Sequence, residues 1–136
     1  MQKSNFQFKT PLLTNVEFIL SDDYNSTETS INLKSEFSAQ VYKDLEEKTA
    51  YERLDVILGD TTSGQPFYLK VTMEAEFTWE HDIAEDDLNK LLSQNAPSVL
   101  LSYARPIVAN LTSSSPYPTY NIPFMNFTKE QINFEE

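Results

Sequence analysis

The sequence predicts an α+β fold in which a four-stranded antiparallel sheet is followed by helices. Two observations carry this prediction. Apolar and polar residues alternate with a period of two through much of residues 14–79, which indicates strands with one buried and one solvated face. From residue 84 the apolar spacing changes to that of helices. The 136 residues suit a single domain, 1–136.

Four strands are predicted, at about 14–21, 30–43, 50–59 and 66–79. The clearest alternation lies in the fourth strand, whose odd-numbered positions from 67 to 79 are all apolar. The segment 59–64 is rich in Gly, Asp, Ser and Thr, which favour turns. It therefore joins the third and fourth strands as a hairpin.

Three helices are predicted, at about 84–94, 98–113 and 128–134. Acidic residues in the first turn of the first helix suit the positive end of its dipole, and Pro97 suits the start of the second helix. Pro106 lies inside the second helix, where a residue without an N–H predicts a kink. Thr128 and Gln131 have the spacing of a capping box for the third helix.

The composition argues against most enzymatic and nucleic-acid functions. The chain has no cysteine and one histidine, His81, which disfavours thiolate and multi-histidine metal sites. Its two glycines, Gly59 and Gly64, cannot build a phosphate-binding loop of the usual spacing. The formal net charge of −11 disfavours nucleic acid and anionic membranes. We therefore expect a binding module with no catalytic residue, no metal site and no cofactor.

Neither a signal-peptide pattern nor an apolar run of membrane-spanning length occurs in the sequence. These observations predict a cytoplasmic protein without membrane insertion.

Two local features each allow two interpretations. The acidic residues of segment 74–87 form either a solvated face or a docking surface for a basic partner. The proline- and aromatic-rich loop 113–125 either covers the core of its own domain or forms the wall of a groove for apolar peptide segments.

The C-terminal third of the sequence resembles the signature of the SecB protein-export chaperones. The matching positions are Tyr103-Ala104-Arg105, Ile107, Leu111-Thr112, Tyr117-Pro118, Asn121-Ile122 and Asn126-Phe127. Pro97 matches the proline before the long helix of that family. The resemblance covers about residues 6–130 and is specific in 97–127.

The resemblance implies that the helices cover one face of the sheet and that the protein is a homotetramer, a dimer of dimers. Members of the family are ATP-independent holdases that keep unfolded or nascent polypeptides in apolar surface grooves and pass them to SecA. By position, the client groove comprises Leu33, Phe37, Val41, Tyr120, Ile122 and Phe124. The subunit interface comprises Ser102, Arg105 and Ala109, and the partner-docking face comprises Tyr68, Lys70, Glu74 and Glu76.

Departures from the family bear on the handover to SecA, and two alternative functions stand beside the export chaperone. Serines at 113–115 replace a glycine-containing turn, and Lys70 reverses the charge of the face on which the family docks SecA. One alternative is a dedicated chaperone of a single partner, such as an antitoxin. The other is a small-ligand-binding α+β domain, against which the scarcity of Gly, His and Cys weighs.

Overall fold

The computed structural model describes residues 2–22, 24, 32–62, 64–127 and 132–135. Within them the strands are β1 Phe6–Phe8, β2 Leu12–Leu20, β3 Ser35–Asp44, β4 Thr49–Gly59, β5 Phe67–Trp79 and β6 Ile132–Glu135. The helical elements are α1 Glu85–Lys90, a π-helical turn Leu91–Asn95 and α2 Ala96–Ser113.

The strands form one mixed sheet. β3, β4 and β5 are antiparallel neighbours, and both β1 and β2 pair antiparallel with the outer edge of β5. β6 closes the opposite edge by pairing parallel with β3. The α+β class is confirmed, but the prediction of a four-stranded, purely antiparallel sheet is wrong because the described sheet has six strands and one parallel pair.

The two additional strands are short, and their sequences carry a weak strand signal. β1 has three residues, too few to establish a period of two. The helix predicted at 128–134 is wrong over residues 132–134, which belong to β6. Residues 128–131, with the proposed capping box, lie outside the described residues. Pairing with β3 overrides the local helix signal, since Ile132 and Phe134 lie beside Ala39 and Val41.

The four predicted strands correspond to β2, β3, β4 and β5, with shifted bounds. β2 runs from Leu12 to Leu20 instead of 14–21. β5 begins one residue later than expected and ends at Trp79, and β4 begins one residue earlier. β3 begins at Ser35 instead of residue 30; residues 30 and 31 lie outside the described part.

The core lies between the helices and one face of the sheet. The alternating apolar residues of β3, β4 and β5 face α1, the π-helical turn and α2, which contribute buried leucines and alanines. The main helical members are Leu88, Leu92, Ala96, Leu100, Leu101, Ala104 and Val108. Removing this apolar surface from water is the main force that holds the helices on the sheet.

The helical segment is continuous from residue 85 to residue 113, although two separate helices were expected. At the junction the N–H of Ala96 donates to the carbonyl of Leu91, five residues earlier. Pro97 has no N–H for the carbonyl of Ser93, which favours this wider turn. α2 continues through Pro106, which is exposed; the kink expected there stays a prediction.

Candidate functional site

The loop that follows α2 combines buried anchors with one displayed aromatic side chain. Ile122 and Phe127 are buried in the core. The hydroxyl of Thr112 donates to the carbonyl of Val108 at 2.9 Å and accepts the N–H of Tyr120 at 2.8 Å, which fixes the loop to the last turn of α2. In contrast, Phe124 is 92% exposed.

Phe124 lies over a cation on the outer side of α2. The guanidinium carbon of Arg105 is 4.9 Å from the centroid of the Phe124 ring, within the range of a cation–π interaction. The loop therefore holds a large apolar side chain at the surface of the helix instead of in the core. Such a displayed ring is suited to contact with another polypeptide.

The six predicted groove residues differ in exposure. Phe37, Val41 and Ile122 are buried members of the core, while Leu33 and Tyr120 are half-buried and pack against it. Phe124 alone among the six is exposed. In the isolated chain these residues therefore do not line an open groove, and their role in client binding stays a prediction.

The predicted interface residues lie in one stripe on α2. Ser102, Arg105 and Ala109 are three and four positions apart, a spacing that places them on the same side of a helix. Ser102 is exposed, and the other two are half-buried. The residues of α2 that contact the sheet lie on a different side of the helix, and Phe124 lies over Arg105 within this stripe; its role in subunit contacts stays a prediction.

The predicted docking residues lie on the sheet face that points away from the helices. Tyr68, Lys70, Glu74 and Glu76 alternate along β5 with the core residues and are all half-buried. Lys70 is opposite Glu17 of β2 in the strand register. The face therefore carries charges of both signs.

Specific contacts order this polar face. The Nζ of Lys9 lies 2.7 Å from a carboxylate oxygen of Glu76. The hydroxyl of Thr72 donates to Asp55 at 2.6 Å. Burial, followed by the charge and hydrogen bond of Glu74, raises the pKa of Tyr51. These contacts indicate an ordered polar surface.

An exposed apolar edge was not predicted from the sequence. Large apolar side chains of β1 and β2 are exposed along the outer edge of the sheet: Phe8, Leu12, Leu13, Val16, Ile19 and Leu20. An edge strand with unpaired backbone groups and apolar side chains favours association with another chain. The available signal was the apolar character of both faces of β2, where Ile19 interrupts the polar side.

The burial of Glu52 was also not predicted from the sequence. It is fully buried on the helix-facing side of β4, and neither carboxyl oxygen has a hydrogen-bond partner. Burial raises the pKa of this carboxyl to about 9. Its position in the alternation, between Ala50 and Leu54, was the signal that places it in the core.

Two surface cavities are lined mainly by polar side chains. One, of about 320 Å³, is lined by Lys3, Ser4, Asn5, Gln7, Thr78, Glu80 and His81. Another, of about 290 Å³, is lined by Thr14, Asn15, Arg53, Asp55, Lys70, Thr72 and Glu74. Among the described residues, no group of three or more His, Cys, Asp or Glu is placed to hold a metal ion. None of the helices in that part of the chain is long and apolar enough to cross a membrane.

Comparison with known proteins identifies the fold. No family model and no curated protein matches the sequence. Among solved structures, the chain is similar to the SecB-like chaperone Rv1957 of Mycobacterium tuberculosis, in complex with a ChAD peptide from the HigA1 antitoxin Rv1956. The TM-score is 0.71 at 17% identity, over 89% of this chain and 91% of that chain. The chain has the SecB-like fold.

The chain also has a weaker similarity to the crystal structure of a protein of unknown function from Streptococcus agalactiae. The TM-score is 0.49 at 11% identity, over 88% of this chain and 97% of that chain. The resemblance predicted from residues 97–127 is thus confirmed at the level of the fold by the first structure.

Proposed function

We propose that this chain is an ATP-independent holdase chaperone that binds non-native polypeptide without covalent chemistry. The main support is the SecB-like fold, because the similar solved structure is a chaperone that holds a peptide. The exposed aromatic ring of Phe124 and the apolar edge of β1 and β2 also support this proposal, since both present apolar surface to a partner.

The proposed client site uses the loop after α2 and the helix-facing side of β3. Phe124 is its exposed end, and the half-buried Leu33 and Tyr120 form its walls. Phe37, Val41 and Ile122 form its floor. Clients gain affinity there by removing apolar side chains from water.

The proposal also includes a homotetramer in the cytoplasm, assembled through the stripe of Ser102, Arg105 and Ala109. A handover to SecA would use the polar sheet face, where Lys70 weakens attraction to a basic partner. The main part of the proposed function is therefore polypeptide binding, and export is secondary to it.

A dedicated chaperone of one antitoxin is the second candidate. The observation that favours it is the antitoxin peptide in the similar structure. A toxin–antitoxin gene pair beside the gene of this chain would support this narrower function. A small-ligand-binding domain is less favoured, because the cavities of about 320 and 290 Å³ are lined by polar residues.

Suppression of aggregation tests the proposed function. A client protein is unfolded by reduction, and its light scattering is followed with and without this chain, in the absence of ATP. We expect suppression at about one tetramer per client. Unchanged scattering at that ratio would contradict the proposal, and the same client kept oxidised and folded serves as the control.

A further inference from the structure

β6 is a short segment that occupies the edge of β3. Its four residues pair in parallel with Ala39–Tyr42. Ile132 is 5% exposed and lies beside Ala39, whereas Phe134 is 37% exposed and lies beside Val41. Both side chains are on the helix-facing side of the sheet, the side of the predicted client groove.

Two polar contacts give β6 a recognisable pattern. The Nζ of Lys43 is 5.1 Å from the centroid of the Phe134 ring. Glu135 lies opposite Tyr42 in the strand register, and hydrogen bonding to its carboxylate, followed by its charge, raises the pKa of the Tyr42 phenol. The edge of β3 therefore binds an extended segment of four residues: an aliphatic residue, any residue, an aromatic residue and an acidic residue.

β6 has few stabilising contacts, as expected of a strand that another strand can replace. It has four residues, of which Ile132 alone is buried, and parallel pairing is slightly less stable per residue than antiparallel pairing. Ala39 and Val41 already have their antiparallel partners in β4. β3 and β4 therefore keep their pairing when another strand replaces β6.

We propose that β6 occupies the place of a client on the edge of β3 and that clients bind there by displacing it. This inference rests on the proposed function and specifies the client segment. The segment adds as a parallel strand, its backbone replaces that of β6, and its aliphatic and aromatic side chains replace Ile132 and Phe134. Strand addition of this kind gives affinity through main-chain hydrogen bonds and specificity through alternate side chains.

A reversible disulfide tests the displacement. Gln40 and Asn133 are opposite each other in the register of β3 and β6. Because the chain has no cysteine, the double variant Gln40→Cys, Asn133→Cys forms a single defined disulfide. We expect oxidation to weaken binding of a labelled unfolded client at least tenfold, measured by fluorescence anisotropy, and reduction to restore it.

The matched control is Glu36→Cys with Ile57→Cys, which links β3 to β4 and leaves β6 free. Oxidation of this control should leave client affinity unchanged. Equal affinity of the oxidised and reduced Gln40, Asn133 variant would overturn the inference and leave the proposed function standing. Absence of client binding by the reduced variant and by the unchanged chain would overturn both.

A peptide competition provides an independent measurement. A peptide with the sequence of residues 131–135, QINFE, should displace the labelled client from the unchanged chain. The same peptide with aspartate in place of its isoleucine and phenylalanine should not. Equal competition by the two peptides, or none by either at saturating concentration, would contradict recognition of the β6 pattern.

Discussion

Glu52 couples the stability of the fold to pH. Its carboxyl is buried without a hydrogen-bond partner, so the folded chain favours the neutral form. The pKa rises from 4.5 to about 9 on folding. A raised pKa means that the folded state holds the proton more tightly than the unfolded state. The associated stability is therefore complete below pH 4.5 and is lost as the pH rises to about 9.

Substitution of Glu52 tests this linkage. Glu52→Gln removes the titration, so the stability of the variant relative to the unchanged chain should increase steadily as the pH rises from 4.5 to about 9. Urea unfolding across that range measures the difference. The control is Glu36→Gln, at an exposed position of β3. A stability difference that does not change with pH would contradict the account.

Phe124 and Ile122 belong to the same loop and the same proposed client site, but they differ in their contribution to stability. Because Phe124 is 92% exposed, Phe124→Ala should change the free energy of unfolding by no more than about 0.5 kcal/mol. It should weaken client affinity roughly tenfold, as expected for an aromatic anchor. Ile122→Ala removes a buried side chain and should cost about 2–5 kcal/mol in stability. Thermal unfolding and client titration of both variants measure the two effects. Unchanged client affinity of Phe124→Ala would remove Phe124 from the proposed site.

The main signal in the sequence for the burial of a strand residue is its position in the alternation of apolar and polar residues. The alternation of β5 predicts its buried side correctly because all seven odd-numbered residues are apolar and buried, although Thr72 on the other side is buried as well. The same rule applied to β4 places Glu52 in the core, but a charged residue is expected at the surface. The sequence contains no such signal for the exposure of Phe124, because that exposure depends on the path of an irregular loop.

At the scale of elements, long strands were more predictable than short ones. β5 and β4 each bury many alternating side chains, so their local pattern and their tertiary environment agree. β1 and β6 have three and four residues and owe their conformation to pairing with β5 and β3. Their local sequence does not contain that information.

The outer stripe of α2 provides a test of assembly. Ala109→Arg places a long charged side chain in the proposed interface, where burial of an unpaired charge is unfavourable. We expect the variant to form species smaller than the tetramer of the unchanged chain. Size-exclusion chromatography with light scattering measures the difference. The control is Asn110→Arg, at an exposed neighbouring position. A monomeric unchanged chain would contradict the proposed homotetramer.

At the scale of the whole molecule, the net charge of −11 predicts a preference among clients. Complementary charge accelerates association and is screened by salt. A basic unfolded client should therefore bind more tightly than an acidic client of the same length and apolar content. Anisotropy titrations at low and high ionic strength measure this preference, which should shrink as salt is added. Equal affinities at low salt would show that the charge does not select clients.

The fold class and the resemblance were accessible from sequence, whereas the accessibility of the candidate groove was not. Residues 97–127 carry specific motif positions, and the sheet carries strong alternation. Phe37, Val41 and Ile122 are buried in one core that also contains Ile132 of β6. That core is assembled by contacts between distant parts of the chain.

Equilibrium binding of one client in two states tests whether this chain binds non-native polypeptide. The client is a protein that stays unfolded after reduction and alkylation of its cysteines, and its native form is the comparison. Fluorescence anisotropy is measured with the full chain and without ATP. We expect saturable binding of the unfolded form and none of the native form. Absence of binding to the unfolded form, or equal binding to both forms, would contradict it.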